Sequence, residues 1–160
     1  MISDTKVVAI GGGTGLSTML KGLKLHTHNI TAVVTVADDG GSSGILRSDL
    51  GMLAPGDVRN CVSALAEVDP VMGELLNFRF KDGSLKGHSL GNLFLAALNE
   101  TSSSFDEAVK KFSHLAGVVG TVYPVTNESV TLSALLEDGR LIEGESHIGV
   151  HHDGPKNGIV

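Results

Sequence analysis

Gly11-Gly12-Gly13-Thr14-Gly15 places four glycines and a threonine in five positions, directly after a short apolar run. Glycine lets a backbone come close to a ligand. A helix start offers unpaired N–H groups and the positive end of the peptide dipole, so strand, glycine loop and helix together predict a phosphate site. The strict dinucleotide pattern G-x-G-x-x-G is not met, because its third glycine, counted from Gly11, falls on Leu16. Nor is this a P-loop, since Leu16 and Ser17 follow Gly15 where Lys and Ser or Thr are required.

A second cluster, Asp38-Asp39-Gly40-Gly41-Ser42-Ser43, begins about 20 residues after the first, where dinucleotide folds place an acid on ribose. Two roles fit it. An aspartate bonds a ribose hydroxyl, or the pair holds a divalent cation such as Mg2+ that bridges to phosphate, with Asp39 as the metal ligand. The glycines and serines add N–H and hydroxyl donors. Two weaker groups follow. Gly56-Asp57-Val58-Arg59-Asn60 sets an acid, a base and an amide in the first turn of a helix: Asp57 favours the dipole, and Arg59 and Asn60 reach towards a ligand. Gly87-His88-Ser89-Leu90-Gly91-Asn92 enters another helix, with His88 and Asn92 as contacts and Ser89 as an N-cap rather than a nucleophile. His151 and His152 lack a second ligand cluster and read as a solvated turn, and Cys61 falls on an apolar helix face as an inert core thiol.

The elements that must position these groups are legible in part. Residues 6–10 form an apolar run ended by glycines, predicting a buried parallel strand. Leu16, Met19, Leu20 and Leu23 have one-face helical spacing, and the β-branched run 30–36 predicts a second strand. Residues 40–43 read as a loop, and the stretch to Leu53 has no clear pattern. Pro55 opens a helix with Val58, Cys61, Val62 and Leu65 on its apolar face. Leu90, Leu93, Phe94, Ala97 and Leu98 mark another. Ser104 and Glu107 form a capping-box signature ahead of a helix burying Phe105, Ala108, Val109, Phe112 and Leu115. Residues 121–125 are strand-like, and the alternation of Val130, Leu132, Ala134 and Leu136 before Asp138-Gly139 predicts a β-hairpin with a second strand from Leu141. Residues 151–157 read as turn, and Ile159 and Val160 as the opening of a strand that does not continue. The fold class is therefore α/β: a Rossmann-like parallel sheet flanked by helices, with a β-hairpin near the C-terminus, in one partial domain over residues 1–160 that reads as the truncated N-terminal half of a larger one.

The chain has 160 residues, 41% hydrophobic, which suffices for a single core. A formal charge of -6 with mixed signs argues against nucleic acid or an anionic membrane as partner. One cysteine, no secretory signal and no long apolar run predict a cytoplasmic location.

Residues 10–16, the run 35–44, Pro55-Gly56-Asp57-Val58-Arg59-Asn60 and Gly87-His88-Ser89-Leu90-Gly91-Asn92-Leu93 together closely resemble the bacterial gluconeogenesis factor (YvcK-type) family. That family is a branch of the superfamily containing 2-phospho-L-lactate transferase, which builds the side chain of a deazaflavin cofactor. The resemblance spans nearly the whole chain, including the hairpin ending Glu143-Gly144-Glu145-Ser146. It implies a nucleotide-sugar ligand, chiefly UDP-N-acetylglucosamine, and regulation of cell-wall synthesis and cell shape during gluconeogenic growth, with no catalytic reaction and no required cofactor. By position, Gly12, Gly13, Thr14 and Gly15 would hold the pyrophosphate, and Asp38 and Asp39 would line the sugar or metal side. Family members are longer, so the apolar surface left by a missing half predicts association, in its simplest form a homodimer. Two other readings remain: a metal-dependent transferase with Asp38, Asp39 and Asp57 on magnesium, and a dehydrogenase using NAD(P).

Overall fold

The structure, a computed structural model, describes residues 3–152. Strand β1 (Val7–Gly11) leads into α1 (Gly13–Leu23) and returns as β2 (Ile30–Val34), which pairs with β1 in parallel, Ala9 opposite Ala32. Four helices follow: α2 (Gly41–Leu50), α3 (Gly56–Leu65), α4 (Pro70–Asn77) and α5 (Leu90–Glu100). Then α6 (Phe105–Leu115) delivers β3 (Thr121–Pro124) to the free edge of β2, again parallel, with Val122 opposite Ala32. The sheet order is β1-β2-β3. An antiparallel hairpin of β4 (Ser133–Leu135) and β5 (Leu141–Glu143) precedes α7 (Glu145–His152). This is the parallel α/β sheet with a C-terminal hairpin that the sequence predicts.

One face of the sheet carries the core. Ala9, Ile30, Ala32, Val34 and Val122 are buried there with Leu20 of α1, Val58, Val62 and Leu65 of α3, and Ala108, Val109 and Phe112 of α6. On the opposite face Val8 and Ile10 are 65% and 76% exposed. β1 is thus buried on one face only among the described residues, not on both as its apolar run predicts, because α1, α3 and α6 all pack on the same side.

Other elements depart from expectation for local reasons. Residues 41–43 are the first turn of α2, not a loop. Met19 and Leu115 are exposed rather than part of the buried helix faces. In α5 the buried residues are Gly91, Asn92, Leu95 and Ala96, while Phe94 turns outward. The Glu107 amide donates to Ser104 Oγ at 3.2 Å as a capping box requires, but the Glu107 carboxylate reaches one residue further, to the Ser103 N–H and hydroxyl. His151 and His152 close α7 instead of forming a turn; residues 153–160, with Ile159 and Val160, lie outside the described residues.

Candidate functional site

The carboxyl ends of β1 and β2 run straight into the two glycine clusters, so both lie at the edge where open α/β sheets bind ligands. Three helices begin there with no side-chain cap. Gly12 precedes α1, Gly40 precedes α2 and Pro55 precedes α3, and none supplies a hydrogen bond to the exposed amides behind it. The next three helices are each capped, α4 by Asp69, α5 by Ser89 and α6 by Ser104. Since the first N–H groups of a helix need partners, this selective absence leaves donors and three positive dipole ends for an anion.

The three starts are packed together. A Cβ at Gly12 would overlap Thr35 Cγ2 and lie 2.6 Å from Asp57 Oδ2, so glycine is required for this close approach. A Cβ at Gly56 would overlap Ser43 Oγ and lie 3.1 Å from Asp38 Oδ2, joining the start of α3 to that of α2. At Gly13, Gly15 and Gly41, by contrast, a side chain would meet nothing within 4 Å. The starts of α1 and α3 thus each rest on a packed glycine, Gly12 and Gly56, while Gly13, Gly15 and Gly41 face open space.

Between α2, α3 and α5 lies a pocket of about 290 Å³. Asp38, Gly40, Gly41, Ser42, Ser43, Gly56, Asp57, Arg59, Asn60 and Asn92, all prominent in the sequence, line it together with Arg79, which is not. Gly12 and Gly13 adjoin it through Asp57, whose carboxylate accepts the Gly13 N–H. Gly11 ends β1, and Thr14 and Gly15 belong to the α1 start; all three lie outside the pocket lining. His88 stands behind the wall: its Nδ1 is 3.0 Å from Ser42 Oγ, which also accepts from Asn92 Nδ2 at 3.1 Å. The chain of contacts continues as Arg59 Nε donates to Asn92 Oδ1 at 3.3 Å and Arg59 Nη1 to Asn77 Oδ1 at 3.0 Å. This network explains why Asn92 faces inward on α5. Gly91 does so as well because a side chain there would strike the Leu76 carbonyl and the Arg59 stem.

The two adjacent aspartates divide. Asp38 faces the pocket, with Oδ1 accepting the Gly40 N–H at 2.9 Å. Asp39 points the other way and accepts the Ser146 N–H at 2.8 Å, so it caps α7; that bond holds its carboxyl below the usual range. The turn at Gly144, with φ of 95°, brings the backbone against Asp39 Oδ2. Burial pushes the Asp57 carboxyl up, opposed by the Gly13 N–H and reinforced by the charge of Asp38. Glu145, which carries no motif of its own, is pushed up first by burial and then by Asp38, Asp57 and Asp39. Burial, and then the Arg79 cation, lower Arg59.

These carboxylates allow a limited cation chemistry. Among the described residues no group of three or more His, Cys, Asp or Glu is placed to hold a metal ion. Two carboxylates suffice for Mg2+ when phosphate oxygens and water complete the octahedron. Asp38 and Asp57 fit that use, while Asp39 is engaged by α7. Cys61 contributes nothing: it is buried in α3, and burial pushes its thiol up to about 12. A larger pocket of about 350 Å³ lies beyond α2, but its Arg47 already donates to the Ala37 and Val130 carbonyls and to Ser129 Oγ. No helix among the described residues is long and apolar enough to cross a membrane.

The family model described as 2-phospho-L-lactate transferase CofD matches residues 7–159. A relative from Thermoanaerobacterium thermosulfurigenes is 63% identical over 147 residues, covering 92% of this chain and 46% of its own length. The Bacillus subtilis protein named gluconeogenesis factor is 51% identical over 144 residues, covering 89% and 45%. The crystal structure of protein BH3568 from Bacillus halodurans superposes with a TM-score of 0.88 at 42% identity, over 98% of this chain and 54% of that one. The chain thus spans about half the length of these relatives.

Proposed function

Because the chain belongs to the CofD-like family, in its gluconeogenesis factor (YvcK-type) branch, we propose that it binds a nucleotide-sugar, UDP-N-acetylglucosamine, and acts as a cytoplasmic regulator of cell-wall synthesis and cell shape under gluconeogenic growth. The observation that carries the binding reading is that α2 and α3 start without side-chain caps of their own at one pocket, with the start of α1 packed beside it against Asp57. Beside the pocket the diphosphate takes the Thr14 and Gly15 amides of the α1 start, and the sugar side faces Asp38 inside it. Binding without turnover is favoured at Ser89, whose hydroxyl is committed to the α5 cap by accepting the Asn92 N–H.

Calorimetric titration of UDP-N-acetylglucosamine into the chain and into Gly15→Val tests this. The valine enters open space, so the fold is kept and the phosphate surface is blocked. Heat with the parent and none with the variant supports the assignment; equal heats reject it.

A metal-dependent transferase of the kind the family model describes is the second reading, favoured by Asp38 and Asp57 flanking the helix starts. There Mg2+ would supply charge neutralisation at the transferred group, and Asp38 and Asp57 would hold it. Its sign is nucleotide binding that needs Mg2+ and is lost in Asp57→Asn.

A further inference from the structure

Helix α4 turns its apolar residues the wrong way for a surface helix. It packs on α3 and α5, yet Leu76 is its one buried side chain, and Val71, Met72 and Leu75 face outward. Phe78, directly after the helix, continues the row from Val71 and Leu75 at the spacing i, i+4, i+7, and the four are each between 45% and 64% exposed. Apolar side chains scattered singly over a surface need no explanation, whereas a stripe along one helix marks a contact face.

The face is held in place. The Phe78 ring meets Phe80 edge-on with centroids 5.1 Å apart. Asn77, at the helix end, accepts from Arg59 Nη1 at 3.0 Å and donates to the Gly73 carbonyl at 2.8 Å. A face fixed in advance loses little freedom when it is covered. It also stands on the helix side of the molecule, away from the open face of β1 that carries Val8 and Ile10.

The charges at the two ends of the stripe indicate what covers it. Glu67 and Asp69 stand before the helix, Arg79 and Lys81 after it, and all four are exposed. Among the described residues none of them belongs to an ion pair; Asp69 accepts the Val71 N–H and Arg79 donates to the Gly87 carbonyl. Glu74 falls on the flank of the stripe by helical geometry, and Asp82 leaves the segment after the helix net positive. A partner lying antiparallel on α4 must therefore bring base to its start and acid to its end. A second α4, turned end for end, does both, while a parallel one would set acid against acid. Two-fold contacts are self-complementary in this way.

We infer that Val71, Met72, Leu75 and Phe78 form the contact between two copies of this chain, α4 lying antiparallel on α4 about a two-fold axis with Glu67 opposite Lys81. This goes beyond the proposed nucleotide binding and does not depend on it. Four half-exposed side chains offer less than the ~800 Å² per partner of a standard interface, so the dimer is weak and reversible.

Sedimentation velocity over roughly 1–1,000 µM chain tests the contact. The parent is expected to pass from monomer to dimer across that range. Leu75→Glu, at an exposed position, raises the dissociation constant about tenfold or more, as loss of a central apolar contact does. Glu67→Lys and Lys81→Glu each raise it about fivefold by setting like charges face to face in both halves of the contact, and the double reversal restores the parent value. Ile10→Lys, on the open sheet face, leaves it unchanged. A parent that stays monomeric to the top of the range overturns the inference, as does a dimer that Leu75→Glu leaves intact or that Ile10→Lys abolishes. A double reversal no tighter than either single change overturns the antiparallel arrangement and the inference with it.

Discussion

Replacing Gly12 by alanine places a methyl group where the first loop presses on its neighbours. The new Cβ overlaps Thr35 Cγ2 and sits 2.6 Å from Asp57 Oδ2. The backbone itself is not strained, because φ at Gly12 is -158°, extended and open to any residue. The cost is overpacking, and neither neighbour moves freely: Thr35 Oγ1 accepts the Ala37 N–H at 3.4 Å and the Asp57 carboxylate is held by the Gly13 N–H. Overpacking of this kind costs about 1–3 kcal/mol, offset by about 0.4–1 kcal/mol from the stiffer unfolded chain. A net loss of about 1–2 kcal/mol lowers Tm by roughly 2–8 °C in a domain of this size. Gly15→Ala is the matched control, since its methyl meets nothing within 4 Å and lies in a helix, where alanine gains about 0.5–1 kcal/mol over glycine. Thermal unfolding followed by circular dichroism should therefore rank the proteins Gly15→Ala, parent, Gly12→Ala in falling order of Tm. Equal Tm values for the two variants would refute the packed-below, open-above geometry of the loop.

Asp39→Ala should cost about 1 kcal/mol locally, as loss of a helix cap does, and raise amide exchange at Ser146 roughly fivefold with the core unchanged. The Ser146 bond holds Asp39 below its ordinary 3.8, so this contribution is present above that value and is lost as pH falls through the lower folded one. The ratio of variant to parent exchange at Ser146 should accordingly approach one in acid, and a ratio constant with pH would contradict the assignment. Cys61, with its thiol raised to about 12, should not react with a disulfide reagent at about pH 8 in the folded chain and should react fully in denaturant. Ile10→Lys, at a position 76% exposed, should change stability by less than about 0.5 kcal/mol in denaturant unfolding.

How much of this was legible in the sequence depended on whether a residue's local pattern matched its final use. The strand, loop and helix of residues 7–23 were readable because glycine clustering and helical spacing agree there with the fold. α2 was hidden: it opens Gly-Ser-Ser-Gly, poor helix formers that stand at the site because their amides face the pocket. In α5 the leucines and Phe94 gave the helix but not its inward face, since Gly91 and Asn92 turn inward for close approach and for the Arg59 network. α4 carried a readable start in Asp69-Pro70, with Asp69 Oδ1 accepting the Val71 N–H at 2.9 Å. Asp38 and Asp39 look equivalent in a sequence, whereas neighbours on an irregular backbone face different partners, one the pocket and one α7. Arg79 had no signal at all, because a bridge between Arg79 and Ser89 brings it to the mouth from outside every motif.

The most direct measurement of the central claim is a crystal structure of the chain grown with UDP-N-acetylglucosamine and Mg2+. Diphosphate oxygens are expected at hydrogen-bond distance, roughly 2.7–3.2 Å, from the Thr14 and Gly15 amides, with the remainder of the ligand reaching the pocket of Asp38, Ser43 and Arg59. A nucleotide bound elsewhere, with the starts of α1, α2 and α3 untouched, would contradict it.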